Sequence, residues 1–565
     1  MKLKPGLVIV LILALFLRLY RLNDLPVAMF GDEVDASYQA WSLATTLRDY
    51  RGHLLPTYAQ SLSEWRAPLE MYLVAPFVGL LGPTNFSARL PMALMGITSI
   101  LLIYLIVNIL FPGQKLHFGR WHLTAGLVAA LVLALTPWHL HYTRNVVEQP
   151  PLFLLTLLGV YLYLRAKSQP LFYPLALFVF ILTFYTYSVA NLATPIIILL
   201  LIFCYPPQIK ALFKKPVLIG LVLCVLAMMP IAYQILFGPA AGRFKLINIA
   251  EDQPTLDQIV LDRNRPWLTL PLVEKLVNNK ITAISGEFIN NYLTALSPQF
   301  LFLSGDPIYR QSVDHFGVFL VILAPFFLLG FIFLAKDFKN RGNLLPLLWL
   351  FFIPLGSSLT VGGGNHASRL FLMLFPVVTI IALGFMRFVI AIKSKYQVVT
   401  ALLVTVGILL NFSAYWYRYT THYAYESSHV WQYGYEPLFT KARPYIKEAS
   451  RVFINNTAEP SLYRFAFYYP IKPADFQKMF STDIQQPNLF PGFSGFPFGD
   501  KYYFGQAENF DSLNKLLKPG DIYLASQRME VPGDWDLEKS PPAGLKVLVT
   551  VRDYYDRPLF YALSK

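Results

Sequence analysis

Residues 5–22 read PGLVIVLILALFLRLYRL, and this stretch decides the fold class. From Pro5 to Leu17 no side chain is polar, and the run closes on Leu17-Arg18-Leu19-Tyr20-Arg21. A bilayer span needs about 20 mainly apolar residues, which this run nearly supplies alone. No small-x-small cleavage site follows, so the run is read as a retained first helix, not a removed signal peptide. Outward from it, comparable runs lie near 86–111, 121–138, 151–166, 171–188, 191–206, 216–237, 315–336, 343–361, 369–392 and 396–416, which makes about eleven spans. The run 67–82 (APLEMYLVAPFVGLLG) holds Pro68, Glu70 and Pro76 and reads either as a short span or as an interfacial segment. Over all 565 residues, 55% are hydrophobic and 14% charged, against roughly 25% charged in soluble domains. Mean hydropathy is +0.47. A soluble, disordered, collagen-like or coiled-coil chain is thereby excluded. Cys204 and Cys224 both lie in apolar runs and read as core residues, not as a disulfide framework.

Lys and Arg in short loops set the orientation in the bilayer. With the N-terminus on the cytoplasmic side, the even-numbered connections carry Lys115 and Arg120, Arg165 and Lys167, Lys210 with Lys214 and Lys215, Lys336 with Lys339 and Arg341, and Arg387 with Lys393 and Lys395. Of the opposite short loops only those with Arg144 and Arg369 hold notable bases. The separation is clean when 67–82 does not span. The net charge of +14 is therefore a topology signal, and a nucleic-acid partner is not expected. Three long segments fall on the outer side: 23–85, 238–314 and the tail. The expected domains are 1–416, an all-α membrane portion, and 417–565, a small extracytoplasmic α/β domain. The tail domain follows from β-like runs at Arg451–Asn455, Asp521–Ala525 and Leu545–Val551, set among polar stretches bearing Gly and Pro.

The first outer segment reaches Gly31-Asp32-Glu33 and continues through Ala36, Tyr38, Ala40, Trp41, Leu43, Ala44 and Leu47. That spacing predicts an amphipathic helix on the membrane surface, with two carboxylates at its start. Acids are favoured at any helix N-terminus, yet acids at membrane depth are costly and often functional. Arg144 and Glu148 are four apart and read either as a helix ion pair or as active-site groups. His139 and His141 have no third ligand nearby in sequence, so no zinc site is supported. Asp306 and Arg310 precede the eighth span, where they either hold the loop or bind substrate. Val361-Gly362-Gly363-Gly364 precedes His366 and Arg369 and reads either as a flexible hairpin or as a close backbone approach to a phosphate.

Taken in order, these motifs carry a resemblance. Leu17-Arg18-Leu19-Tyr20-Arg21-Leu22, Gly31-Asp32-Glu33, Tyr38-Gln39-Ala40, Trp65-Arg66-Ala67-Pro68-Leu69 and Phe86-Ser87-Ala88-Arg89-Leu90-Pro91 open the series. Tyr185-Thr186-Tyr187, Gly305-Asp306-Pro307 with Arg310, His366-Ala367-Ser368-Arg369 and Trp431-Gln432-Tyr433-Gly434-Tyr435 continue it. The series resembles polyprenyl-phosphate-dependent glycosyltransferases of the GT-C fold. In particular it is similar to bacterial family-39-like proteins related to protein O-mannosyltransferases and aminoarabinose transferases. Arg66 stands where the family has Lys, and the tail matches no acceptor-specific type.

The resemblance implies transfer of a sugar from a polyprenyl-phosphate donor to an acceptor (protein, lipid or glycan) on the outer face, with inversion. Asp32 falls on the family's acidic position and is expected to be the catalytic base; Glu33 is expected to orient the loop or help bind a metal. Arg369, His366 and Arg66 are expected to bind the donor phosphate, because a guanidinium fork suits phosphate oxygens. Arg144, Glu148, Tyr187, Asp306 and Arg310 are assigned to the substrate cavity. No cofactor is required by any motif, although neighbouring carboxylates are compatible with a divalent metal. There is no Gly-x4-Gly-Lys-Ser/Thr loop, Gly-x-Ser-x-Gly elbow or His-Glu-x-x-His. The alternative is a transporter or flippase for a lipid-linked or polar substrate. It calls for ionisable groups near mid-span and for repeated halves, whereas the notable acids here crowd the outer loops.

Overall fold

The computed structural model describes residues 4–61, 64–118, 121–238, 248–264 and 276–565. Arg120 and parts of the second outer segment, 239–247 and 265–275, lie outside the described residues. The chain divides into two compact units. The first is Met1–Tyr20, Glu64–Leu69 and Met92–Thr421; the second is Arg21–Ser63, Glu70–Pro91 and His422–Lys565.

The first unit is helical. Each of the eleven apolar runs is helical over most of its length. Four helices, Asn85–Leu110, Lys215–Leu236, Phe371–Ala391 and Ser394–Thr421, are long and apolar enough to cross a bilayer by themselves. Shorter apolar helices include Pro5–Leu19, Ala125–Leu135, Phe172–Phe184, Ala190–Cys204 and Val321–Lys336. Tight packing in lipid needs small residues, since apolar surface gains little from leaving acyl chains. Ala324–Lys336 and Leu374–Ala391 meet in this way: a Cβ on Gly330 would lie 1.9 Å from the Ile380 carbonyl oxygen, and one on Gly384 would lie 1.8 Å from that of Phe326. The ambiguous run 67–82 forms Leu69–Leu81, whose 13 residues span about 20 Å, short of a hydrocarbon core about 30 Å thick.

In the second unit the tail builds a seven-stranded mixed sheet. Its strands are β1 (Val452–Asn455), β2 (Gln486–Phe490), β3 (Phe493–Phe498), β4 (Tyr502–Ala507), β5 (Ile522–Ser526), β6 (Lys546–Arg552) and β7 (Pro558–Ser564), in the order β6-β7-β5-β1-β4-β3-β2. β1 is buried along its whole length and pairs in parallel with both β4 and β5, while the outer pairings are antiparallel. A strand covered on both faces needs a continuous apolar run, and Val452-Phe453-Ile454 supplies it. β1, β5 and β6 coincide with the three runs expected from sequence. β2, β3, β4 and β7 were not expected: Phe493–Phe498 reads FSGFPF, and its Gly and Pro carry turn signals inside a paired strand.

Two expectations are corrected here. The boundary at 416/417 left residues 23–85 with the membrane helices, but Arg21–Ser63 and Glu70–Pro91 form one unit with the tail. The bonds that do this are specific. Tyr38 donates its hydroxyl to the Ile471 carbonyl at 2.9 Å, Gln477 donates to Ser42 Oγ at 3.1 Å, and Arg51 pairs with Asp483 at 2.7 Å. Nor is the helix Gly31–Thr46 amphipathic on a membrane surface. Every residue from Gly31 to Ala40 except Asp32 is buried, because its many small side chains admit protein on nearly all sides.

Candidate active site

Asp32 and Glu33 open the helix Gly31–Thr46, and Asp32 is partly exposed. Glu33 is buried. Its Oε1 accepts the Phe30 backbone N–H at 3.2 Å, capping the helix from within, and its Oε2 lies 3.4 Å from Arg89 Nε. The same Arg89 donates to the carbonyls of Leu22 (3.3 Å), Pro26 (2.9 Å) and Ala28 (2.7 Å). One buried guanidinium thus ties the segment before the helix to the helix start. This geometry ties the Glu33 side chain to the segment that precedes the helix. Asp35, not singled out in the sequence, is also buried and accepts hydroxyls from Tyr50 (2.7 Å) and Ser61.

Tail residues complete the helix start. Gly31 N–H donates to Gln432 Oε1 at 3.0 Å, and Arg464 donates to the same oxygen. Arg464 is buried against the Tyr435 ring, 4.8 Å from its centroid. A Cβ on residue 31 would lie 2.6 Å from Arg464 Nη2, so glycine there lets the guanidinium approach the backbone without shifting. Gln432 holds its position with φ +56°, in the left-handed region.

In the first unit, Asp306, Arg310, His366 and Arg369 come together. Asp306 Oδ2 accepts the Ala367 N–H at 2.8 Å and Oδ1 that of Ile308 at 2.9 Å. Burial pushes the Asp306 carboxyl up to about 6, against the two backbone donors and the charges of Arg310 and Arg369. His366 is pushed down to about 3, by burial first and then by Arg369 and Arg310. At neutral pH it is an uncharged imidazole, which can hydrogen-bond but adds no positive charge. Arg369 donates to Thr360 Oγ1 at 2.6 Å and the Val361 carbonyl at 2.9 Å, so the Gly-bearing turn serves as its holder. Tyr142 and Gln311, absent from the sequence reading, bind Ser368: the tyrosine hydroxyl lies 2.9 Å from Ser368 Oγ and 3.2 Å from Gln311 Oε1. Burial and then Asp306 hold the Tyr142 hydroxyl well above its usual range. His141 Nε2 lies 2.8 Å from the Arg310 carbonyl oxygen.

The remaining expected residues fall around this cluster in the same unit. Arg144 donates to the carbonyls of Leu17 (2.7 Å), Arg18 (3.0 Å) and Tyr20 (2.7 Å) and to the Tyr419 hydroxyl (3.2 Å). These bonds, not the spacing to Glu148, fix its guanidinium at the end of helix Pro5–Leu19, where carbonyls lack intrahelical donors. Glu148 precedes helix Gln149–Ala166. On either side of it, the buried acceptors Asn145 Oδ1 and Gln149 Oε1 have no hydrogen-bond partner among the described residues. Arg66 is buried, and Leu69 N–H bonds to the Tyr185 carbonyl at 3.0 Å, which ties its stretch to the turn bearing Tyr187. Among the described residues, no group of three or more His, Cys, Asp or Glu side chains is arranged to hold a metal ion.

Comparison with known proteins supports the motif resemblance over one stretch. Residues 65–233 match the family model described as dolichyl-phosphate-mannose-protein mannosyltransferase. No curated protein sequence matches. Among solved structures, the chain is similar to ArnT from Cupriavidus metallidurans bound to undecaprenyl phosphate, at 13% identity and TM-score 0.48, covering 98% of this chain and 96% of that one. It is also similar to the archaeal oligosaccharyltransferase AglB from Archaeoglobus fulgidus in complex with an inhibitory peptide and a dolichol-phosphate, at 14% identity and TM-score 0.46, covering 82% and 63%.

Proposed function

We propose that this chain is an integral-membrane glycosyltransferase that moves a sugar from a polyprenyl-phosphate carrier to an acceptor on the extracytoplasmic face, with inversion at the anomeric carbon. The observation that carries the reading is the contrast at the helix start. Glu33 and Asp35 are buried, and Asp32 alone of Gly31–Ala40 keeps part of its surface accessible. A carboxylate held on a fixed helix start suits a general base. In this reading Asp32 takes the acceptor proton as the acceptor oxygen attacks the anomeric carbon. The bond from that carbon to the phosphate oxygen breaks, and the phosphate leaves with the electron pair. Arg369 and Arg310 meet its charge, with Arg66 as a further phosphate ligand. His366, neutral, serves as a hydrogen-bonding group. The family match over 65–233 supports a lipid-phosphate donor. We read the membrane portion as eleven spans with the N-terminus inside, which puts Asp32 and the tail outside.

Asp32→Asn tests this in a deletion strain complemented with each form of the gene, by mass spectrometry of surface glycans and glycoproteins. The expected result is loss of the transferred sugar at unchanged expression and unfolding midpoint. Full transfer by the variant would remove Asp32 from the chemistry.

A further inference from the structure

Two adjoining cavities lie at the N-terminal end of helix Pro5–Leu19 and share Gly6 and Leu127. The wider one, about 610 Å³, is lined by Lys4, Tyr104, His122 and Thr124 among others, and among the described residues that line it none is acidic. Two helices begin at it. Lys4 is the N-cap residue of Pro5–Leu19, and Thr124 that of Ala125–Leu135. Their partial positive ends add to the ammonium of Lys4 and favour an anion there. The second cavity, about 140 Å³, is an apolar slot running along the same helix past Val10, Leu131, Phe326, Phe385 and Ile408. Gly6 keeps the junction open, since a Cβ there would lie 2.9 Å from Leu127 Cδ2.

A cationic recess opening into a hydrocarbon slot matches an amphiphile with an anionic head. We propose that this is a binding site for one anionic glycerophospholipid, with its phosphate beside Lys4 and one acyl chain in the slot. It is separate from the sugar-transfer residues. Arg144 binds the opposite end of the same 15-residue helix, about 22 Å away. The lipid therefore belongs to the other face of the membrane portion, as a structural ligand bracing helix Pro5–Leu19.

The test uses the full-length protein, delipidated in detergent, and palmitoyl-oleoyl phosphatidylglycerol as the probe. Native mass spectrometry gives occupancy, and thermal unfolding gives stabilisation. Palmitoyl-oleoyl phosphatidylcholine and inorganic phosphate serve as comparison ligands. The expected result is stabilisation by phosphatidylglycerol well beyond that by phosphatidylcholine, and none by phosphate alone. Lys4→Gln should weaken phosphatidylglycerol binding about fivefold, the effect of one basic residue at a headgroup. Gly6→Leu should abolish it by closing the junction, while Lys395→Gln, which removes a charge elsewhere, should leave it unchanged. Equal binding of the two lipids would overturn the proposal, as would wild-type affinity in Lys4→Gln. Lys4 is exposed, so that variant folds even if Gly6→Leu does not.

Discussion

Replacing Glu33 by Gln should unseat the segment that presents Asp32, and the size of the effect follows from the geometry. Glu33 Oε2 and Arg89 Nε are 3.4 Å apart, and their side chains are 1% and 0% exposed. At an effective dielectric constant of about 20, two unit charges at that distance attract by about 5 kcal/mol. Removing one partner of a buried pair costs about 3–5 kcal/mol, because the survivor is left charged and uncompensated. Gln keeps an acceptor for the Phe30 N–H, so the cap survives and the loss isolates the charge. Arg89→Met removes the pair from the other side, along with three carbonyl bonds, and should cost at least as much. The double variant should cost clearly less than the sum of the two, because neither charge is then stranded. Unfolding in mixed micelles, compared by midpoint among the four proteins, measures the coupling. A coupling below about 0.5 kcal/mol, or a Glu33→Gln variant as stable as the parent, would refute the reasoning and leave metal binding as the expected role of Glu33.

Two further outcomes follow from the packing and the titration of the site. Gly31→Ala forces a Cβ to within 2.6 Å of Arg464 and should destabilise by about 1–3 kcal/mol; Arg464→Ala in the same chain should recover part of the loss, as unfolding midpoints would show. Asp306 titrates at about 6 in the folded chain against 3.8 when unfolded, so between these values the folded chain holds a proton that the unfolded chain has released. Its contribution is therefore complete below about pH 4 and falls by about 3 kcal/mol as pH rises through 6. His366 works in the opposite direction, so the measurement is the parent minus Asp306→Asn across pH 4–7. A difference that does not change with pH would show that Asp306 is solvated.

The apolar spans were legible because a bilayer imposes a composition that no local context can replace. Asp306 with Arg310 and His366 with Arg369 were legible as two separate motifs, but nothing in the spacing joined them or spoke of the neutral state of His366, which is set by burial. The contrast among Asp32, Glu33 and Asp35 was not legible. The helix start is held by residues far off in sequence: Gln432, 401 positions from Gly31, binds its N–H, and Arg89 pairs with Glu33. Arg89 did leave a signal: a guanidinium in the opening turns of an otherwise uncharged 26-residue helix is costly unless it is engaged. Four tail strands were missed because the Gly and Pro in runs such as FSGFPF speak for turns, and only pairing with β4 and β2 overrides them.

The three acids of this helix explain one another. At 3.6 residues per turn, Glu33 lies about 100° round the axis from Asp32, and Asp35 about 60° on the other side. Asp32 is therefore flanked by two carboxylates, each held by donors: Arg89 and the Phe30 N–H on one side, Tyr50 and Ser61 on the other. Two unengaged acids so close would repel it and raise its proton affinity, or would rotate into its place. Pairing one with a guanidinium and binding the other with hydroxyls prevents both. It also fixes the helix start against the preceding loop. Burying that network is costly, and as a means of stability alone an apolar packing would serve as well. In the function proposed above, what the network adds is a fixed helix start from which Asp32 acts as the base.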